Sequence, residues 1–203
     1  MPLSGLALFV AVYTVAAASP GPGIAALVAR VLARGTGGIA FFVAGFVVGD
    51  LIWFGLTAAG FALAMQAVAP VFVALRYGGA LYLAYLAWRT WTAPPDDRAP
   101  ETVNGDGRLR LFLGGFALTL GNPKVILFFL ALLPSVIDLD HATPLGIAEI
   151  GATIVVVLTT ILFAYVLAAA RAHRAFTSRR ARRAINRGAG IVMAGAAAVI
   201  ATR

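Results

Sequence analysis

Two charged residues stand deep inside otherwise apolar runs of this chain, Asp50 and Lys124. Asp50 lies about 12 residues into its run, and Lys124 about 12 residues from either end of its own. At 1.5 Å per helical residue, both interfaces of a membrane are then about 18 Å from the lysine, too far for its stem to reach water. A lysine held there costs about 2.5 kcal/mol or more unless it is paired or hydrated. A carboxylate at the same depth acts as a proton carrier or as a counter-ion. The two residues either form a static ion pair or take part in moving something charged, and the two roles are compatible.

Two sequence blocks beside these charges break the rules for helices in lipid. Pro20-Gly21-Pro22-Gly23 interrupts the first apolar run about two-thirds of the way along, and Gly121-Asn122-Pro123-Lys124 interrupts the fourth near its middle. Each proline removes an amide donor and crowds the turn before it, and each glycine weakens the helix further. An unsatisfied backbone group in hydrocarbon costs several kcal/mol, so such a break survives only where it is buried in protein or lines a wet cavity. Interruptions at corresponding places in two halves of a chain point to a binding site near the midplane. Pro20, Gly21, Pro22, Gly23, Asp50, Asn122, Pro123 and Lys124 are therefore the candidate translocation residues, with Asp50 as the proton carrier. Tyr82 joins them as a deeper member of the helical series Tyr82, Tyr85, Trp88, Trp91, whose tryptophans read as interfacial anchors.

Other polar residues carry less. Arg76 and Glu149 lie near the outer ends of their runs, within reach of an interface, and Thr159 and Thr160 read as hydrogen-bonding partners between helices. His141 and His173 are far apart, and cysteine is absent, so there is no metal site, thiol chemistry or disulfide framework. No G-x-x-x-x-G-K-[ST], H-E-x-x-H or G-x-S-x-G constellation occurs, which excludes a resident ATPase and the commoner hydrolases. The reading is of a non-enzyme that needs no cofactor.

The elements that must position these residues follow from composition. Of the 203 residues 61% are hydrophobic and 12% charged, against roughly 45–50% and about 25% in soluble domains. Apolar stretches of about 20 residues recur, enough to cross a bilayer core of roughly 30 Å as helix. Six are expected, over residues 3–30, 38–65, 68–91, 109–134, 144–170 and 185–202. The last is short, but Gly188, Gly190, Ala194, Gly195 and Ala198 suit close packing. Ala16-Ala17-Ala18 resembles a signal-peptide cleavage site, yet no basic residue precedes it and the apolar run continues past it, so the first helix is expected to remain.

The one long polar stretch, residues 92–108, holds Pro94-Pro95-Asp96-Asp97 and Asn104-Gly105-Asp106-Gly107 and is expected as a cytoplasmic linker loop. It divides the chain into a first three-helix repeat, 1–91, and a second, 109–203. Three crossings per half set the two halves upside down relative to each other. The fold class expected is therefore all-α: a polytopic membrane protein of six transmembrane helices in two inverted repeats, with helices 1 and 4 interrupted.

Net charge is +8, and its placement speaks for membrane orientation rather than nucleic acid. The first connection carries Arg30 and Arg34, the third Arg89, Arg98, Arg108 and Arg110, and the fifth seven arginines from Arg171 to Arg187. The second connection has no basic residue, and the fourth offers Asp138, Asp140 and His141. Odd connections are expected in the cytoplasm and both termini outside.

These residues together resemble the lysine exporter family (LysE/RhtB-type) of bacterial amino-acid exporters, over nearly the whole chain. Ser19-Pro20-Gly21-Pro22 is similar to the family's first-span signature, and Gly45 through Gly49-Asp50 to its G-x-x-x-G-D stretch. Arg76-Tyr77-Gly78-Gly79-Ala80-Leu81-Tyr82-Leu83 resembles its third-span pattern. Asn122-Pro123-Lys124, with Phe128-Phe129 and Leu133-Pro134, resembles its fourth-span block; Asn186, Gly188 and Gly195 match the last helix more loosely. Two positions depart from the pattern: Gly23, where members often carry Asn, Asp or Ser, and Ser135, where Gln is common. The resemblance implies a secondary transporter in the bacterial inner (plasma) membrane, exporting amino acids or close derivatives by proton antiport with alternating access. Its partners are the amino acid, protons and the lipid bilayer; a homo-oligomer is compatible with the composition and not required by it. The competing readings are a passive pore for a small solute and a non-transporting partner subunit.

Overall fold

The computed structural model describes residues 3–59, 105–133 and 143–175, with scattered helical residues between 77 and 92 and between 183 and 198. Among the described residues every regular element is helical. The first, α1 (Leu3–Ala18), stops where the prolines begin. In a continuous helix Ala16 O and Ala18 O would accept from the amides four residues on, but these are Pro20 and Pro22, which have no N–H. Pro22 instead opens α2 (Pro22–Arg34), a position where its missing donor costs nothing and its fixed φ suits the helix. The two helices meet at 54°.

A tight connection returns the chain. Gly35, at φ 70°, ends α2 with its amide on Val31 O (2.8 Å), and Gly38, at φ 67°, precedes α3 (Ile39–Ala58). Both values lie in the left-handed region that glycine adopts without a Cβ penalty. Arg30, counted from the sequence among the loop charges, is buried and donates to Gly37 O (2.7 Å) and Gly35 O (3.4 Å), tying the connection down.

The second half repeats the broken pattern. α4 (Gly105–Leu120) and α5 (Pro123–Leu127) meet at 53°, again with a proline at the start of the second piece. A π-helical turn, Phe128–Leu132, follows α5 directly. The last continuous element is α6 (Pro144–Ala175). At 1.5 Å per residue its 32 residues reach about 48 Å, more than a bilayer core requires. Its end carries His173 to α2, where the ring Nδ1 meets Leu32 O at 2.7 Å. A carbonyl only accepts, so Nδ1 carries the proton.

Two of these helices, α3 and α6, are long and apolar enough to cross a membrane, and four spans result if each bent pair counts as one. The first and fourth interruptions expected from the sequence are thus present. The element bounds differ at the ends. Residues 105–108, expected in the linker, begin α4; Gly and Asp signal turns in a sequence pattern, but that signal does not fix where a helix starts. The fifth helix runs past residue 170 to Ala175, so His173 lies on a helix and not in a loop. Most of the expected third and sixth spans, the remainder of the linker, and Arg76, Tyr82, Ser135 and His141 lie outside the described residues.

The packing that organises the site is the crossing of α3 with α4. A Cβ on Gly45 would fall 2.1 Å from Phe112 O, and one on Gly115 2.0 Å from Phe42 O. The backbones touch there, as small residues allow in membrane helix pairs. Gly49, one turn on, is closed over by Thr119, whose methyl would stand 2.7 Å from a Cβ. This contact fixes Asp50 on α3 against the second broken span. α6 packs on α1, α2 and α3 and closes the other side, with Ile150, Ile154, Leu158 and Leu162 buried.

Candidate functional site at the two helix breaks

The two breaks come together around one cavity. Gly21, Gly23 and Ile24 from the first break and Asn122, Lys124 and Val125 from the second line it, with Tyr13 of α1, Phe46 and Asp50 of α3, Phe128 and Phe129 of the π turn, and Leu158 and Leu162 of α6. Its volume is about 60 Å³, room for a few waters at roughly 10–15 Å³ each and well below the ~150 Å³ that accepts a benzene ring.

Asp50 is 5% exposed and accepts a hydrogen bond at Oδ2 from the Tyr13 hydroxyl (2.7 Å). Tyr13 is itself fixed by rings: stacked on Phe9 at 5.4 Å between centroids, and tilted against Phe128 at 5.3 Å and Phe129 at 6.4 Å. The carboxylate is thus held by a hydroxyl from α1, which sequence reasoning did not single out. Lys124 does not pair directly with Asp50. Its Nζ donates to Ser19 O at 2.5 Å, on the far side of the first break. The static ion pair is replaced by two separate bonds that open onto the same cavity.

Most of the backbone groups set free by the breaks have identifiable partners. Ser19 Oγ donates to Ala16 O (3.2 Å) and the Tyr165 hydroxyl to Ala18 O (2.8 Å), the two carbonyls that the prolines orphan. Asn122 is the cap of α5: its Oδ1 accepts from Lys124 N at 3.1 Å, which leaves its amide nitrogen facing the first break, 3.6 Å from where a Cβ on Gly23 would be. The Thr57 hydroxyl shares its proton between Trp53 O (2.9 Å) and Phe129 O (3.2 Å), the latter in the π turn. The start of α2 differs. Gly21 offers no side-chain cap, and the amides of Gly23 and Ile24 precede the first intrahelical bond, Ala25 N to Gly21 O. Those two residues line the cavity, at the positive end of a helix dipole.

Of the sequence candidates, Gly21, Gly23, Asp50, Asn122 and Lys124 line this cavity; Pro20, Pro22 and Pro123 shape its backbone without lining it. Tyr82 falls outside the described residues. Thr160 departs from the expectation of contacts between helices, since its hydroxyl bonds Val156 O within α6 (2.7 Å). Tyr13, Tyr165, Phe46 and Thr57 were missed. Tyr165 was legible in principle: a membrane break demands donors for its freed carbonyls, and a tyrosine hydroxyl in an apolar run can give one. Among the described residues no cluster of metal-ligating side chains occurs.

A chain whose two broken helices face each other across a charged pocket invites comparison with known families, and the LysE type translocator profile matches residues 14–203. The chain belongs to the LysE type translocator family. An uncharacterized membrane protein of Synechocystis is 30% identical over 155 residues, 75% of this chain and 74% of its own length. One from Pseudomonas aeruginosa is 30% identical over 151 residues, 71% and 68%. The leucine efflux protein of Salmonella typhimurium is 33% identical over 122 residues, 59% of this chain and 57% of its own length. No solved structure matches the chain.

Proposed function

We propose that this translocator exports neutral amino acids with apolar side chains, leucine among them, from the bacterial cytoplasm in exchange for protons. One observation carries the reading: a single cavity joins a carboxylate, an ammonium, two helix-start amides and an apolar wall of Ile24, Phe46, Val125, Phe128, Leu158 and Leu162. A zwitterion needs a partner for each charge at the midplane. The Gly23 and Ile24 amides suit a carboxylate, Asp50 or a freed carbonyl suits an ammonium, and the apolar wall suits an aliphatic side chain. The similarity to a protein named for leucine efflux supports that choice of cargo.

The cavity is too small for an amino acid as it stands, so cargo enters by separation of the elements around it. We place six spans in two inverted repeats, rocking across the linker between them, with both termini outside the inner membrane. Asp50 takes the proton in each cycle. The test is a panel of labelled amino acids in inside-out vesicles with an imposed proton gradient. Gradient-dependent uptake of leucine, isoleucine or valine above lysine and glutamate is expected. Uptake independent of the gradient would return the passive pore, and preference for charged amino acids would remove the apolar cargo.

A further inference from the structure

At the end of α1 the carbonyls of Val15, Ala16 and Ala18 are covered locally or by a fixed hydroxyl. Ser19 N bonds Val15 O (3.0 Å), Ser19 Oγ bonds Ala16 O, and the Tyr165 hydroxyl bonds Ala18 O. Ser19 O is different: its partner is the ammonium of Lys124, on a flexible stem from the other half of the chain. A helix C-terminus carries a partial negative charge of about half a unit, and a cation there is stabilised. Gly21 makes room for the arrangement, since a Cβ at that position would stand 3.3 Å from Lys124 Cδ and 3.8 Å from Nζ. Lysine is also half-committed elsewhere: Asp50 lines the same cavity, yet Lys124 sits on the carbonyl and not on the carboxylate.

We propose that the carbonyl end of α1 is a binding site for a primary ammonium, which Lys124 fills as a tethered stand-in when no cargo is present and yields to the cargo. The visitor must donate hydrogen bonds to a carbonyl and fit a space shaped for one –NH₃⁺ group. The α-ammonium of an amino acid meets both demands; identifying it as the visitor rests on the export reading, whereas the site does not. Eviction leaves Lys124 free beside the cargo's carboxylate and beside Asp50. Cargo binding is thereby an exchange of one ammonium for another at Ser19 O, and the empty carrier never leaves that carbonyl bare.

The experiment uses the full chain purified in detergent. Lys124→Ala removes three methylene groups and the ammonium, which n-propylammonium supplies in trans. Thermal unfolding is followed against n-propylammonium chloride, with n-propanol, tetramethylammonium chloride and potassium chloride as controls. A saturable rise in the midpoint of Lys124→Ala is expected with n-propylammonium alone, and at least tenfold more amine for the same response in the wild type, where Lys124 competes. No response in the variant, an equal response in both proteins, or an equal response to potassium would overturn the proposal. A second measurement covers a variant that does not fold. Lys124 is the chain's only lysine, so ¹⁵Nζ-lysine labelling of the wild type gives one side-chain resonance. 3-Methylbutylammonium, which lacks a carboxylate, should shift it saturably; an unmoved resonance at saturating amine would also overturn the site. Failure of the vesicle panel with success here would remove the cargo and leave the ammonium site standing.

Discussion

The ring of Phe46 stands where a side chain on residue 23 would have to go: a Cβ built on Gly23 comes 2.6 Å from Phe46 Cε1. The absence of a side chain at Gly23 is thus matched by an aromatic wall. Gly23→Ser should overpack the cavity, costing about 1–3 kcal/mol, and should reduce transport. Adding Phe46→Val frees the space and should restore stability while admitting cargo with a more polar or longer side chain. Unfolding midpoints and the amino-acid panel on both variants check this. A single Gly23→Ser with wild-type midpoint and specificity would show that the ring moves aside freely.

What the sequence displayed and what it concealed have separate physical causes. Prolines act on their own helix, at positions fixed by the four-residue hydrogen bond, so both breaks were legible from residues 20–23 and 121–124. Asp50 and Lys124 stood out because charge in an apolar run is costly wherever the chain goes. Their partners are set by tertiary contact instead. Tyr13 and Ser19 reach Asp50 and Lys124 only because α1, α3 and α5 converge, and no local pattern states that convergence. The glycines were not read for packing: Gly45 and Gly49 stood out only for their similarity to the G-x-x-x-G-D stretch, and the crossing at Gly45 and Gly115 is recognised only when α4 is seen against α3.

That crossing supplies a second prediction. A methyl group on Gly115 would lie 2.0 Å from Phe42 O, against backbone and not against a side chain that can turn away. Gly115→Ala should force α3 and α4 apart and lower the amount of folded protein in the membrane several-fold. Gly55, with nothing near its Cβ position, is the control, and Gly55→Ala should leave abundance unchanged. Equal abundance of the two variants would contradict the close crossing.

Tyr165 tests whether the first break needs its distant donor. Tyr165→Phe keeps the ring and leaves Ala18 O without the 2.8 Å bond from the hydroxyl. The bond is only part-buried, so its loss should cost about 1 kcal/mol. The midpoint should fall accordingly, and transport should fall with it because the same turn carries Ser19 O. A Tyr165→Phe protein with unchanged midpoint would mean that water reaches Ala18 O.

Orientation is open to direct chemistry, since the chain has no cysteine of its own. In the proposed topology, with the arginine-rich first, third and fifth connections in the cytoplasm, the segment around Ala142 would lie outside and that around Thr177 inside. Ala142→Cys in intact cells should react with an impermeant thiol reagent, and Thr177→Cys only after the membrane is opened. The reverse pattern would invert the topology and leave the number of spans untouched.

The last prediction separates charge from shape at the carboxylate. Asp50→Asn keeps an oxygen to accept from Tyr13, so the 2.7 Å bond and the ring cluster around it survive the change. What it removes is the ability to bind and release a proton. Gradient-driven uphill export should therefore stop while leucine exchange persists, because exchange returns the carrier loaded and needs no proton release. Tyr13→Phe is the complement: it leaves the carboxylate but takes away its donor, so abundance should fall while the remaining protein stays coupled. Lys124→Met should impair exchange as well as uphill export, since it strips the ammonium from the cavity. Asp50 and Lys124 each have a partner of their own, so the abundance losses of the single changes should add in Asp50→Asn with Lys124→Met, and transport should not recover. Expression, leucine binding and proton-driven flux on the four proteins distinguish these roles. Uphill flux at wild-type rate in Asp50→Asn would end the proton-carrier assignment, and full activity in the double variant would reduce both charges to structural parts.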